Sequence, residues 1–157
     1  MNNRQIALKL LLENLGVDPK IETQDDRKRV QKAIYIGQLS GVDLGYRFSW
    51  YLKGPYSPEL TRDYYAMAEE IQAGDTSYEN KELRPDYLQR LGKIRRFLDP
   101  KTGHDQSEWL ELLASYHYLR QVSRKSHEEA VSIFQKQKPN LLPFIGVAQE
   151  TFDEMIQ

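Results

Sequence analysis

Leu8, Leu11, Leu12 and Leu15 fall at the i, i+3, i+4, i+7 spacing of one helical face, and Gly16 stops the pattern. Asp18-Pro19 breaks the chain, and Thr23 with Asp26 then forms a capping box for a second helix with Val30, Ala33, Ile34 and Gly37 on one side, closed by Gly41. From Tyr46 the period changes to two. Tyr46, Phe48, Trp50 and Leu52 alternate with Arg47, Ser49, Tyr51 and Lys53, which predicts a half-buried strand. Gly54-Pro55 reads as the turn that ends it. Ser57 is a natural N-cap with Pro58 at the first helical position, and Leu60, Tyr64, Met67, Ala68 and Ile71 mark the buried side of a third helix.

Residues 75–82 are polar and predict an exposed loop. A fourth helix starts near Pro85 and presents Tyr87, Leu91, Ile94 and Leu98 before Asp99-Pro100 stops it. Ser107 is the expected opener of a fifth helix with Trp109, Leu112, Leu113 and Tyr116 inward. Ser126 and Glu129 box a sixth, and Leu141, Ile145, Ala148, Phe152 and Ile156 keep helical spacing afterwards. The expectation is a mainly α fold of about seven helices with one short strand or hairpin. A lone strand needs a partner, and residues 76–83 are the best candidate. The 157 residues predict one domain, with a motif-bearing part over 24–75 and C-terminal helices over 84–157.

Composition narrows the chemistry. The chain has no cysteine, which removes disulfides, thiolate metal sites and cysteine nucleophiles. No apolar run approaches the ~20 residues of a membrane span and no signal peptide is evident, so the expectation is a cytoplasmic protein that binds no membrane. Ten tyrosines suit either a wet binding surface or the edge of a helical core. A net charge of −1 gives no global field towards nucleic acid, although residues 59–79 are acidic and 84–101 basic.

Catalytic patterns are sparse. His104, His117 and His127 fall in no ligand spacing, so no metal site is expected, and no phosphate loop, dinucleotide fingerprint or nucleophile elbow implies a cofactor. Asp86, Asp99 and Lys101 spell the acid–acid–lysine order of metal-dependent nucleases. The intervening helix would separate the two acids by ~18 Å, too far to share a metal. A winged-helix reader at Pro58 would turn Glu59, Asp63, Glu69 and Glu70 towards phosphates. Nucleic-acid binding is better served by Arg27, Lys28 and Arg29 on the second helix and by Arg90, Lys93 and Arg96 on the fourth.

The segment Arg29-Val30-Gln31-Lys32-Ala33-Ile34-Tyr35, followed by Tyr46-Arg47-Phe48-Ser49-Trp50-Tyr51-Leu52-Lys53-Gly54-Pro55-Tyr56-Ser57-Pro58-Glu59-Leu60, resembles the YwgA-like family of bacteria and archaea. More distantly, it is similar to the Panacea antitoxin domain, with its Q-K-x-x-Y helix and Gly-Pro-x-Ser element. Residues 109–119 and Lys136-Gln137-Lys138-Pro139 look like the C-terminal half of the YwgA-like pattern. The resemblance implies a mainly helical fold with a winged-helix-like element in the N-terminal half and no established catalytic activity. It also implies a protein partner such as a toxin or defence effector. Gln31, Lys32, Tyr35, Trp50, Tyr51, Gly54, Pro55, Tyr56 and Ser57 are the expected partner-binding residues. From the residues alone, Gln31, Lys32 and Tyr35 either brace the turn or present a site, and Tyr56 is either a contact or a plug at the core edge.

Overall fold

Five of the seven α-helices begin where a side chain takes over an orphan backbone N–H. In the computed structural model, which describes residues 1–157, α1 (Asn3–Leu15) is capped by Asn2 and closed by Gly16 in the left-handed region. α2 (Gln24–Leu39) opens on the expected box between Thr23 and Asp26. Two short strands follow, β1 (Ser49–Tyr51) and β2 (Gly54–Tyr56), and then α3 (Pro58–Gln72), with Ser57 as its N-cap. α4 (Pro85–Ile94) tightens into a 3-10 turn over Arg95–Leu98. α5 (Gln106–His117) widens into a π turn over Tyr118–Val122, closed by Ser123 N donating to Tyr118 O at 2.9 Å. α6 (His127–Gln137) carries the Ser126–Glu129 box, and a 3-10 turn at Leu142–Phe144 leads into α7 (Ile145–Met155).

The chain is therefore mainly helical, with seven α-helices and one antiparallel hairpin standing between α2 and α3. Several sequence expectations are corrected in detail. The alternation from Tyr46 holds as far as Trp50, but regular pairing covers only Ser49–Tyr51, and Leu52 is 76% exposed. Gly54 and Pro55 are not the turn. They belong to β2, where Gly54 pairs with Tyr51 and Pro55 with Trp50, so Leu52 and Lys53 make the reversal. Residues 76–83 form an irregular loop and pair with no strand. Asp105, not Ser107, caps α5 by accepting from Glu108 N, and the Ser107 hydroxyl donates to Asp25 O at 3.1 Å.

α2 and α5 pack on each other at the centre, with the hairpin and α7 laid against α5. Ile34, Ile36, Leu112, Leu113, Trp109 and Tyr116 are fully buried there, each large apolar side chain contributing about 1.5–3 kcal/mol. The Trp109 indole keeps its hydrogen bond by donating to Phe97 O at 2.8 Å. Asp63, expected on the outer face of α3, is turned inward instead. It accepts from Arg4 Nε and from the Tyr46 hydroxyl, both at 2.7 Å. No helix is long and apolar enough to cross a membrane.

Candidate functional site

Lys28, Gln31, Lys32 and Tyr35 recur at helical spacing and form a polar stripe along α2, yet all four are buried. The hairpin and α5 cover them. A two-stranded hairpin is marginal alone, and its outer carbonyls have no neighbouring strand to bond. The stripe supplies what a third strand would. The Gln31 amide grips Ser57 with both ends, donating from Nε2 to Ser57 O and accepting Ser57 N at Oε1, each at 2.9 Å. The Lys32 ammonium donates to Pro55 O at 2.6 Å. Gly54 lies so close to α5 that a Cβ would collide with Ser115 Oγ, and its φ of +98° also favours glycine.

Beneath the hairpin lies a buried ionic group. Glu111 on α5 accepts from Lys28 Nζ at 3.0 Å and from Lys138 Nζ at 2.6 Å, one lysine on each carboxylate oxygen. Lys138 also donates to Leu52 O at 3.2 Å, and its ammonium stands 5.6 Å from the centre of the Trp50 ring. Both lysines therefore tie helices to the hairpin or to each other through one carboxylate. Burial opposes ionisation of Glu111, but Lys138 and Lys28 outweigh it and hold its carboxyl below the usual range. Lys28 is pushed up despite burial, because Glu111, Glu108 and Asp25 surround it. Lys32 is different. It has no carboxylate of its own within ion-pair distance, and burial lowers it to about 7, with Lys138, Lys28 and Lys53 adding repulsion.

Aromatic contacts set the faces of the hairpin. The Trp50 indole donates to Gln137 Oε1 at 3.0 Å and leans on Tyr118, while Tyr35 meets Phe48 edge-on and shares a hydrogen bond of 2.8 Å with His117 Nδ1. Burial depresses His117 to about 4, so it is neutral at pH 7. On the other side, Tyr51 is 60% exposed and stacks obliquely on the half-buried Tyr56 with ring centres 5.6 Å apart. Together with Tyr64 and Tyr65 of α3 they line a cleft of about 350 Å³ against the first turns of α2. Arg27, Lys28, Lys32 and Lys53 also line it, and no Asp or Glu does.

All nine expected partner-binding residues thus converge on the hairpin and its supports. Gln31, Lys32, Tyr35, Gly54, Pro55 and Ser57 are buried, Trp50 and Tyr56 are half-buried, and Tyr51 is exposed. The alternative basic set does not form one surface. Lys28 is spent on Glu111, Arg29 on Asp26 and Asp18 O, and Arg96 on Glu154. Arg90 bonds Gly41 O at the far end of α2, about 20 Å along the axis from Arg27, and Lys93 lies exposed on the same short helix. Asp86 pairs with Arg84 and Arg90, Lys101 pairs with Glu154, and no three acids or histidines are grouped as a metal site would require. Sequence reasoning missed Glu111 and Lys138 as members of the site. A signal was present for Glu111, a single carboxylate in the apolar run from Trp109 to Ala114. The chain matches no family model and no curated protein.

Proposed function

We propose that this chain is a non-catalytic partner-binding protein, of the antitoxin or defence-adaptor type that its Gly-Pro-Tyr-Ser element resembles, and that the hairpin tip with the cleft beside it is its contact surface. One observation carries the reading. The tip exposes Tyr51 (60%) and Leu52 (76%) on a turn whose supports are buried hydrogen bonds and ion pairs from α2, α5 and Lys138. Exposed apolar side chains on a braced turn lose little freedom on docking, so their burial goes into affinity rather than ordering. The buried motif residues then act as the frame, and Tyr51, Leu52, Tyr56 and Tyr65 as the contacts. Nucleic-acid binding has less support, because the basic residues of α2 are largely engaged internally and those of α4 lie elsewhere.

The test is affinity capture from the native host, with and without nuclease, using the tagged protein and its Tyr51→Ala/Leu52→Ala variant. A stoichiometric protein that survives nuclease and is lost with the variant is the expected result. Capture that vanishes with nuclease, or that is unchanged in the variant, would overturn this reading.

A further inference from the structure

We propose that the cleft beside the hairpin receives an acidic segment of the partner protein, seating one or two carboxylates over Arg27, Lys32 and Lys53 with an adjoining aromatic or aliphatic side chain against Tyr51, Tyr56 and Tyr65. This rests on the partner-binding reading above and names the chemistry that the partner must present.

Charge is the first argument. The chain carries 23 acidic and 22 basic side chains, yet the cleft wall has four basic side chains and no acid. The cations differ in what they have left to give. Lys28 is already held by Glu111, Glu108 and Asp25, so it contributes field rather than contact. Arg27 bonds the carbonyls of Ile21 and Glu22, both through Nη1, which leaves Nε and Nη2 free. Lys53 is exposed at the hairpin turn. Lys32 is a buried ammonium whose three donors meet one protein acceptor, Pro55 O, while the carboxylate of Glu111 is engaged by Lys28 and Lys138. A carboxylate in the cleft would be the counter-ion that the fold withholds from Lys32. The Tyr56 hydroxyl accepts from Thr61 Oγ1 at 2.8 Å, which leaves its own proton for a carboxylate oxygen.

Size and surroundings select a short acidic motif over a polyanion. A volume of about 350 Å³ sits at the lower end of ligand sites and suits one or two side chains. A nucleic-acid strand needs cations spaced along a track. Here the cations converge, and Glu22 and Asp25 lie exposed at the start of α2, with Glu108 half-buried beyond Lys28, so a phosphodiester chain leaving the cleft would run onto acids.

The occupant also changes a protonation state. Lys32 faces Lys28 on its own helix, Glu111 on α5, Lys138 at the end of α6 and Lys53 on the hairpin, and burial holds it near 7. A bound carboxylate raises it again, so binding at pH 8 takes up protons, approaching one per site.

The probe is a phage-displayed library of random hexapeptides, selected on the intact protein and on Arg27→Gln/Lys53→Gln. Wild type is expected to enrich Asp or Glu beside an aromatic or aliphatic residue. The variant, or Gln for Glu in the selected peptide, should weaken binding about tenfold, the usual scale of one ionised hydrogen bond. Calorimetry at pH 8 in buffers of different ionisation heat should show proton uptake with wild type and none with Lys32→Met. Failure to enrich, enrichment without acidic residues, equal selection by the variant, or binding without proton uptake would each overturn the proposal. Displacement of the selected peptide by an oligothymidylate at lower concentration than by free peptide would hand the cleft to nucleic acid. Host capture separates the two readings. A partner lost with Tyr51→Ala/Leu52→Ala but kept by Arg27→Gln/Lys53→Gln leaves partner binding standing and overturns acid recognition.

Discussion

The most exacting prediction concerns the folding stability of the free protein between pH 7 and pH 9. Lys32 lies near 7 when folded against an ordinary value of 10.5, because burial disfavours its charge and repulsion from Lys138, Lys28 and Lys53 adds to this, against the attraction of Glu111. Between those values the unfolded chain binds the proton and the folded chain has largely released it. Stability must then rise with pH, and it flattens below about 7, where both states hold the proton. Integrating the difference in bound protons from pH 7 to pH 9 gives about 1.7 pKa units, or about 2.3 kcal/mol. That is a large share of the ~5–15 kcal/mol that holds a domain together. His117, depressed to about 4, contributes little in this window because its unfolded form has already lost its proton.

Urea unfolding at pH 7, 8 and 9, on wild type and on Lys32→Met, isolates the effect. Methionine keeps the length and apolar stem of the side chain and removes the ammonium, while every other titrating group is common to both proteins. The wild-type curve should climb more steeply than that of the variant by about 2 kcal/mol across the window, with unchanged m-values. The variant also loses the bond to Pro55 O, so its absolute stability is a separate matter and the slope is the readout. Parallel curves would mean that Lys32 keeps its proton in the folded state, and the account of an ammonium without a counter-ion would fall with it.

Gly54→Ala should cost about 2–4 kcal/mol, since a Cβ there meets Ser115 Oγ in a left-handed backbone, and thermal unfolding would register the loss. Gln31→Ala strips both backbone bonds from Ser57 and should cost about 2–3 kcal/mol, with the Ser57 amide losing hydrogen-exchange protection ahead of the α5 amides. Glu111→Gln leaves Lys28 and Lys138 buried without their shared carboxylate and should destabilise by about 3–5 kcal/mol near neutral pH, measured by urea unfolding.

The helices were legible because their signals are local. Thr23 with Asp26, Ser57 before Pro58, and Ser126 with Glu129 each cap the helix they announce, since capping needs only the next three residues. The hairpin was half legible. Alternation located β1, but Gly54-Pro55 carries the composition of a turn, and the approach to Ser115 on α5 together with a left-handed φ explains why glycine sits in a strand there. For Gln31, Lys32 and Tyr35 the sequence left bracing and presentation both open, and Gln31 and Lys32 brace the hairpin from a buried stripe, where a polar stripe on a helix ordinarily faces water. What inverts it is long-range: Lys28 reaches Glu111 across 83 positions, and Lys138 reaches Leu52 across 86. No window along the chain contains both ends of such a pair.

That inversion bears on how the site works. Two lysines, Lys28 and Lys138, pair with one deeply buried carboxylate, Glu111, which leaves Lys32 without an ion pair, while Glu108 and Asp25 stand beside Lys28 alone. An interior optimised for stability would replace Lys32 with an apolar residue of similar length, because an uncompensated buried ammonium costs more than it returns. On the proposed reading, keeping the lysine makes the hairpin support responsive to what fills the cleft. With the cleft empty, Lys32 sheds its proton near neutrality and still reaches Pro55 O through a neutral amine. On the proposed reading, a carboxylate restores the charge and strengthens that bond under the very strand that presents Tyr56 to the partner. Occupancy of the cleft and rigidity of the tip are then one equilibrium, so the two halves of the contact surface should bind cooperatively rather than as independent patches.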